Sequence, residues 1–157
     1  MTFNGQLLDE KPIQELLKLV ATISKESLLS HTFGQEKQYD VIPDYIEVMK
    51  MNFGRVGEGI KVVVDSANGT GGIVAPALYR SIGCNVIELY SNPDGKFPNH
   101  HPNPSDEKTL NDIKRAVVEN GADIGIAFDG DSDRIGVIDS KGNRSEEHTS
   151  ELQSPVP

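Results

Sequence analysis

The chain has one cysteine in 157 residues, Cys84. A lone thiol closes no internal disulfide, and with no Cys or His partner at metal-ligand spacing it offers no zinc site. It reads as a small buried group in a reducing compartment. Positive charge is also scarce, with 15 Lys and Arg against 24 Asp and Glu and a net charge of −9. That balance excludes a protein that coats nucleic acid without regard to sequence, because such binding needs a basic face to displace counterions. A phosphate ligand would have to meet locally placed cations or a metal. No apolar run approaches the ~20 residues of a membrane helix. The opening MTFNGQLLDEKP has neither a basic start nor a hydrophobic stretch, so no leader is expected. A cytoplasmic protein with no nucleic acid and no membrane among its partners is the resulting expectation. What is present, 36% hydrophobic and 25% charged residues, suffices for one core or two small ones.

Pattern then divides the chain. Within residues 12–23, Ile13, Leu16, Leu17 and Val20 recur at helical spacing, and Pro12 suits a first turn. Residues 24–39 are polar and aperiodic, after which Tyr45, Ile46, Met49 and Phe53 repeat with helical period. We therefore expect a first segment, 1–23, carrying a helix over 12–23, and a linker followed by a second helix over 24–58, with too little apolar material to form a domain alone.

The character changes at Gly59. Residues 60–64 are apolar and β-branched apart from Lys61 and are closed by Asp65, as in a strand covered on both faces. A small-residue turn leads into a helix over 73–82, with Ile73, Val74, Ala77, Leu78 and Ile82 on its inward face and Gly83 as its stop. Residues 85–90 read as a strand, and 105–120 as a helix capped by Ser105, with Leu110, Ile113 and Val117 inward and Gly121 at its end. Residues 123–128 and 135–138 are the last two strands. The alternation predicts an α/β fold over 59–143: a mostly parallel sheet with helical crossovers and an antiparallel final strand. Residues 144–157, RSEEHTSELQSPVP, lack periodicity and resemble the translation of a sequencing-library adapter. They are expected to be a non-native tail that adds nothing to the sheet.

The residues with the most chemistry are Asp129, Gly130, Asp131, Ser132, Asp133 and Arg134, between the last two strands. Alternating carboxylates separated by small residues can curl until three oxygens converge. At ~5 Å and an effective dielectric of ~20, each like-charged pair costs roughly 3 kcal/mol, which a divalent ion would offset. Hard oxygen ligands select Mg2+ or Ca2+ over zinc, and three carboxylates leave positions open for water or phosphate, which suits Mg2+. An EF-hand loop also begins with alternating Asp, but it needs Gly and Glu where Arg134 and Ser140 stand. Arg134 is either a planar donor for a phosphate oxygen or a neutralising neighbour of the aspartates.

Other motifs are weaker. Residues 68–72 satisfy neither Gly-x-Gly-x-x-Gly nor the Walker pattern and read as a tight turn. Ser66 lacks a neighbouring base and a nucleophile elbow. His100 and His101 sit among prolines and read as loop-shaping residues, with metal ligation or general-base work as the alternatives.

The segments GIAFDGDSDRIGVID, VVVDSANGTGG and GKFPNHHPNP, in this family's order, resemble the α-D-phosphohexomutases of the phosphomannomutase/phosphoglucomutase branch, over about residues 3–143. The resemblance implies that Asp129, Asp131 and Asp133 bind Mg2+, with a further contact from a phosphoserine on another domain, and that Arg134 lies at the reacting phosphate. It implies a phosphosugar substrate whose phosphate moves between the 1 and 6 positions of mannose or glucose. The Ser-His-Asn-Pro loop that carries the phosphoserine occurs nowhere in this sequence. Residues 1–23 then look like the tail of a preceding domain, and the chain by itself is expected to be inactive. A non-catalytic α/β metal-binding module is the competing reading.

Overall fold

The computed structural model describes residues 2–3, 6–7, 10–24 and 34–145. The chain forms two compact units, divided between Tyr39 and Asp40. Most of the aperiodic 24–39 stretch, and 146–157 of the expected tail, lie outside the described residues.

In the first unit, β1 (Thr2–Phe3) pairs antiparallel with β2 (Gln6–Leu7), with Thr2 opposite Leu7 and Phe3 opposite Gln6. The sequence reading missed this pair, although the intervening Asn4-Gly5 dipeptide is a strong hairpin signal. The helix α1 (Glu10–Thr22) follows as expected, with Leu16, Leu17, Leu19 and Val20 exposed.

The second unit opens with α2 (Ile42–Phe53). Asp40 Oδ1 accepts the Ile42 N–H at 3.1 Å, Pro43 occupies the first turn, and Gly54 ends the helix at φ 64°. No residue of α2 is buried, and the helix packs on α3 (Gly71–Ser81). The remaining elements are β3 (Lys61–Asp65), β4 (Asn85–Leu89), a 3-10 turn (Glu107–Leu110), α4 (Asn111–Asn120), β5 (Ile124–Phe128) and β6 (Ile135–Asp139). The sheet order is β4-β3-β5-β6. β3 pairs parallel with β4 and β5, and β5 pairs antiparallel with β6, from Ile124 opposite Asp139 to Phe128 opposite Ile135. This is the expected mostly parallel α/β sheet with an antiparallel last strand.

The unbroken valine run of β3 serves two cores at once. Val62 and Val64 pack with Ala75 of α3 and with Tyr79, Ile124, Ile126 and Phe128, while Val63 faces Leu110, Ile113 and Val117 on the opposite side. Each of these valines is at most 1% exposed, a burial that contributes ~1.5–3 kcal/mol apiece. On β5, a Cβ at Gly125 would stand 2.7 Å from Val117 Cγ2, so the glycine lets α4 settle onto the sheet.

Three expectations need correction. The buried residues of α3 are Gly71, Ala75 and Pro76, joined against the sheet by partly buried Tyr79, whereas Ile73 and Ala77 are exposed. Small residues allow the close approach, and the larger Ile73, Val74 and Leu78 instead line a groove of about 600 Å³ with Val41, Ile42 and Tyr45. The helix expected over 105–120 is split. Its first turn is 3-10, and its cap is Asp106, whose side chain accepts the Lys108 N–H at 3.0 Å; the Ser105 N–H is itself held by Asn103 Oδ1. Finally, residues 144–145 do pair with β6, through one isolated bridge rather than a further strand. Asp139 Oδ1 accepts the N–H groups of Lys141 and Asn143, turning the chain back so that Arg144 bridges Ile138 and Ser145 N–H donates to the Val137 carbonyl. Backbone pairing needs no side-chain periodicity, which is why the composition of this segment did not reveal it.

Candidate functional site

The carboxyl ends of parallel strands are where open α/β sheets bind ligands. Three connections meet there: the β3–α3 turn, the loop after β4, and the β5–β6 loop that holds the aspartates.

The β5–β6 loop is tied at its base. Asp129 is 1% exposed, and its two carboxylate oxygens accept the Arg134 backbone N–H at 3.2 Å and Arg134 Nε at 2.9 Å. Ser132 takes φ 64°, and its N–H donates to the Asp129 carbonyl, reversing the chain. That reversal brings one oxygen each of Asp129, Asp131 and Asp133 within 4.8 Å of one another, with Asp131 and Asp133 exposed. All three predicted ligands are thus brought together. Arg134, about half-exposed, also lies 3.6 Å from Asp133 through the same Nε.

The electrostatics are those of crowded like charges. Burial opposes the charge on Asp129, but the Arg134 N–H, hydrogen bonding with Asp133 and the Arg134 guanidinium together hold its carboxyl below the ordinary 3.8. Hydrogen bonding with Asp129, some desolvation and the charges of Asp129 and Asp131 push Asp133 up. Opposite oxygens on one Mg2+ stand roughly 4 Å apart, so the span of the cluster and its oxygen-only donor set fit a divalent cation. Arg134 orients Asp129 while leaving each oxygen a second lone pair for a metal.

The small residues of the β3–α3 turn have a packing reason. A Cβ at Gly69 would stand 2.7 Å from the Gly130 carbonyl oxygen, and one at Gly71 would stand 2.7 Å from Ser132 Oγ. Thr70 N–H donates to the same Gly130 carbonyl at 3.0 Å. The turn is a seat for the acidic loop.

The loop after β4 is fastened to the end of β3. Asp65 is fully buried; one oxygen accepts the Ala67 N–H at 2.9 Å and the other meets His100 Nε2 at 3.0 Å. His100 Nδ1 faces the His101 carbonyl, also at 3.0 Å. Both partners are acceptors, so the ring satisfies both only as the imidazolium. Its pKa is raised, the hydrogen bond to Asp65 outweighing burial. Tyr90 stacks edge-on against His100 and donates its hydroxyl to Asp112 at 2.7 Å, a bond that, with burial, pushes the phenol up to about 12. Asn68, at φ 58°, donates to the Asn92 carbonyl and accepts from Asn99 Nδ2.

The structure ties both ring nitrogens of His100 to groups within the fold, the Asp65 carboxylate and the His101 carbonyl. Ser66 is fully buried, away from any approaching ligand. Cys84 is half-buried with its thiol pushed up by burial, unlike a reactive cysteine. The contacts of Asp65, Asn68 and Phe97 were not foreseen from the sequence; an aspartate closing an otherwise apolar strand was the available signal for the first.

Comparison with known proteins agrees with this architecture. The family profile described as phosphoglucomutase/phosphomannomutase, alpha/beta/alpha domain II, matches residues 43–142. The phosphomannomutase/phosphoglucomutase of Pseudomonas aeruginosa is 41% identical over 138 residues, covering 88% of this chain and 29% of the relative. A phosphoglucomutase of Neisseria meningitidis is 36% identical over 148 residues, covering 91% of this chain and 30% of the relative. The crystal structure of a phosphoglucomutase/phosphomannomutase family protein from Burkholderia thailandensis superposes with a TM-score of 0.75 at 35% identity, over 87% of this chain and 29% of that one. The chain thus spans less than a third of the length of these relatives. Among the described residues no helix is long and apolar enough to cross a membrane. With four strands in the family's arrangement and a profile match over most of its length, the chain belongs to the phosphoglucomutase/phosphomannomutase family.

Proposed function

We propose that this chain supplies the metal-binding domain of a cytoplasmic phosphohexomutase, an intramolecular phosphotransferase that interconverts hexose 1-phosphate and hexose 6-phosphate through a phosphoserine and a bisphosphate. The observation that carries the reading is the convergence of Asp129, Asp131 and Asp133 within 4.8 Å at the carboxyl edge of the sheet. These three residues would hold Mg2+, which when bound supplies Lewis-acid polarisation and offsets phosphate charge. The chain's own residues do the positioning. Arg134 fixes the orientation of buried Asp129 through two bonds, and its half-exposed guanidinium is placed to take a phosphate oxygen as well. Residues 59–143, with α2 against them, would form the metal-binding domain. Residues 1–23 would be the tail of a preceding domain, and 144–157 a non-native tail. The phosphosugar would be held jointly with parts of the whole enzyme that this sequence does not contain, which leaves the chain alone inactive.

Titration calorimetry with Mg2+ tests the site. Asp131→Asn removes a charged oxygen ligand with little change in shape, and a loss of affinity of about tenfold or more is expected. Equal binding by the variant and the parent chain would remove the metal assignment.

A further inference from the structure

We propose that His100 is a positioning residue for the acidic loop: clamped to buried Asp65, it holds the segment after β4 against Gly130 and so sets the spacing of the carboxylates on either side of that glycine. The inference rests on the metal reading above and adds a residue to it.

The geometry leads from one to the other in short steps. Gly130 stands between Asp129 and Asp131, and its backbone is bonded on one side and closely bordered on the other. On one side, Thr70 N–H donates to the Gly130 carbonyl. On the other, Phe97 Cζ and Pro102 Cγ each lie 3.5 Å from where a Cβ of Gly130 would stand. Phe97 and Pro102 flank His100 in sequence. Between them the segment is anchored to the β3 end by the His100–Asp65 bond at 3.0 Å and the Asn99–Asn68 bond at 2.8 Å. Asn68 also receives the Asp94 N–H on its carbonyl, at 2.9 Å. Phe97 holds φ 48°, a strained setting for a side-chain-bearing residue, and such a setting persists only where surrounding contacts enforce it. The His100–Asp65 bond is charge-assisted and fully covered from solvent on the Asp65 side. The groups that face the imidazole are Asp65 from β3, Tyr90 from the β4 end, Asp112 from α4 and the His101 carbonyl. Among the described residues the acidic loop has no direct bond to His100, so its influence would pass through the segment that places Phe97 and Pro102 beside Gly130.

The test compares Mg2+ affinity by calorimetry in the full chain with four substitutions. His100→Ala is expected to weaken binding by about tenfold, the usual effect of removing a group that supports metal ligands. His100→Gln keeps one N–H for Asp65 and is expected to recover most of that loss. Gly125→Ala disturbs the contact with Val117, on the face of β5 covered by α4, and is expected to lower the melting temperature while leaving Mg2+ affinity intact. Phe97→Leu thins the contact with Gly130 without touching Asp65, and it carries the test if His100→Ala does not fold; weakened binding is expected there too. Parent-like affinity in His100→Ala, or in Phe97→Leu where that variant stands in, overturns the inference provided Asp131→Asn binds poorly. So does a loss in Gly125→Ala as large as that in His100→Ala, because a general loosening would then explain both. If Asp131→Asn itself binds as the parent chain does, the metal reading and this inference fall together.

Discussion

Asp65 is fully buried and charged groups rarely are, so what it touches sets its worth. Its partner His100 has a pKa raised above the ordinary 6.5, chiefly by the hydrogen bond to Asp65 and against the effect of burial. A histidine whose folded value exceeds its unfolded one stabilises the fold fully below the unfolded value. That contribution is lost as pH rises through the folded value. The melting temperature of the parent chain is accordingly expected to decline above about pH 6.5, and that of His100→Gln to decline less across the same interval. Parallel curves in a differential scanning experiment would show that the imidazolium is not what holds the loop. This pair was hidden in the sequence because its members are 35 residues apart. The aspartate triad was legible for the opposite reason: its three carboxylates lie within five consecutive positions, so their convergence needs only a local turn.

The elements were legible to different degrees. β3 reads directly as a strand because a run of valines covered on both faces leaves no other economical packing. The face of α3 was misassigned because periodicity records where large apolar groups lie. The fully buried positions here are instead glycine, alanine and proline, with Tyr79 beside them. Closeness of approach also makes a prediction. A Cβ at Gly72 would stand 2.0 Å from the Ser91 carbonyl oxygen, and no flexible side-chain end is there to yield. Gly72→Ala is expected to destabilise the chain by about 1–3 kcal/mol, the usual cost of overpacking. Gly95→Ala, with nothing within 4 Å of its added methyl group, should be close to neutral. Urea denaturation of the two variants checks the contrast, and equal midpoints would contradict the packing argument.

For the whole molecule, the fold class was readable from the order of strands and helices, whereas the pairing of Thr2–Phe3 with Gln6–Leu7 and the return of Arg144 beside β6 were not. Both are backbone pairings of two residues or fewer, too short to impose a hydrophobic pattern. The chain spans 29% of its Pseudomonas aeruginosa relative and contains the aspartate triad without a Ser-His-Asn-Pro segment. Incubated with glucose 1-phosphate, glucose 1,6-bisphosphate and Mg2+, the chain is expected to form no glucose 6-phosphate. Measurable conversion would mean that the residues assigned here are not the whole of its chemistry.

The acidic loop is the tip of an antiparallel ribbon closed by the Phe128–Ile135 pair. Residues added there would have to be accommodated within six positions whose turn already aims every aspartate. The longer connection after β4 has room to absorb such changes. Natural variation in chain length should therefore accumulate in that connection and spare the ribbon tip, where a single inserted codon would redirect a carboxylate.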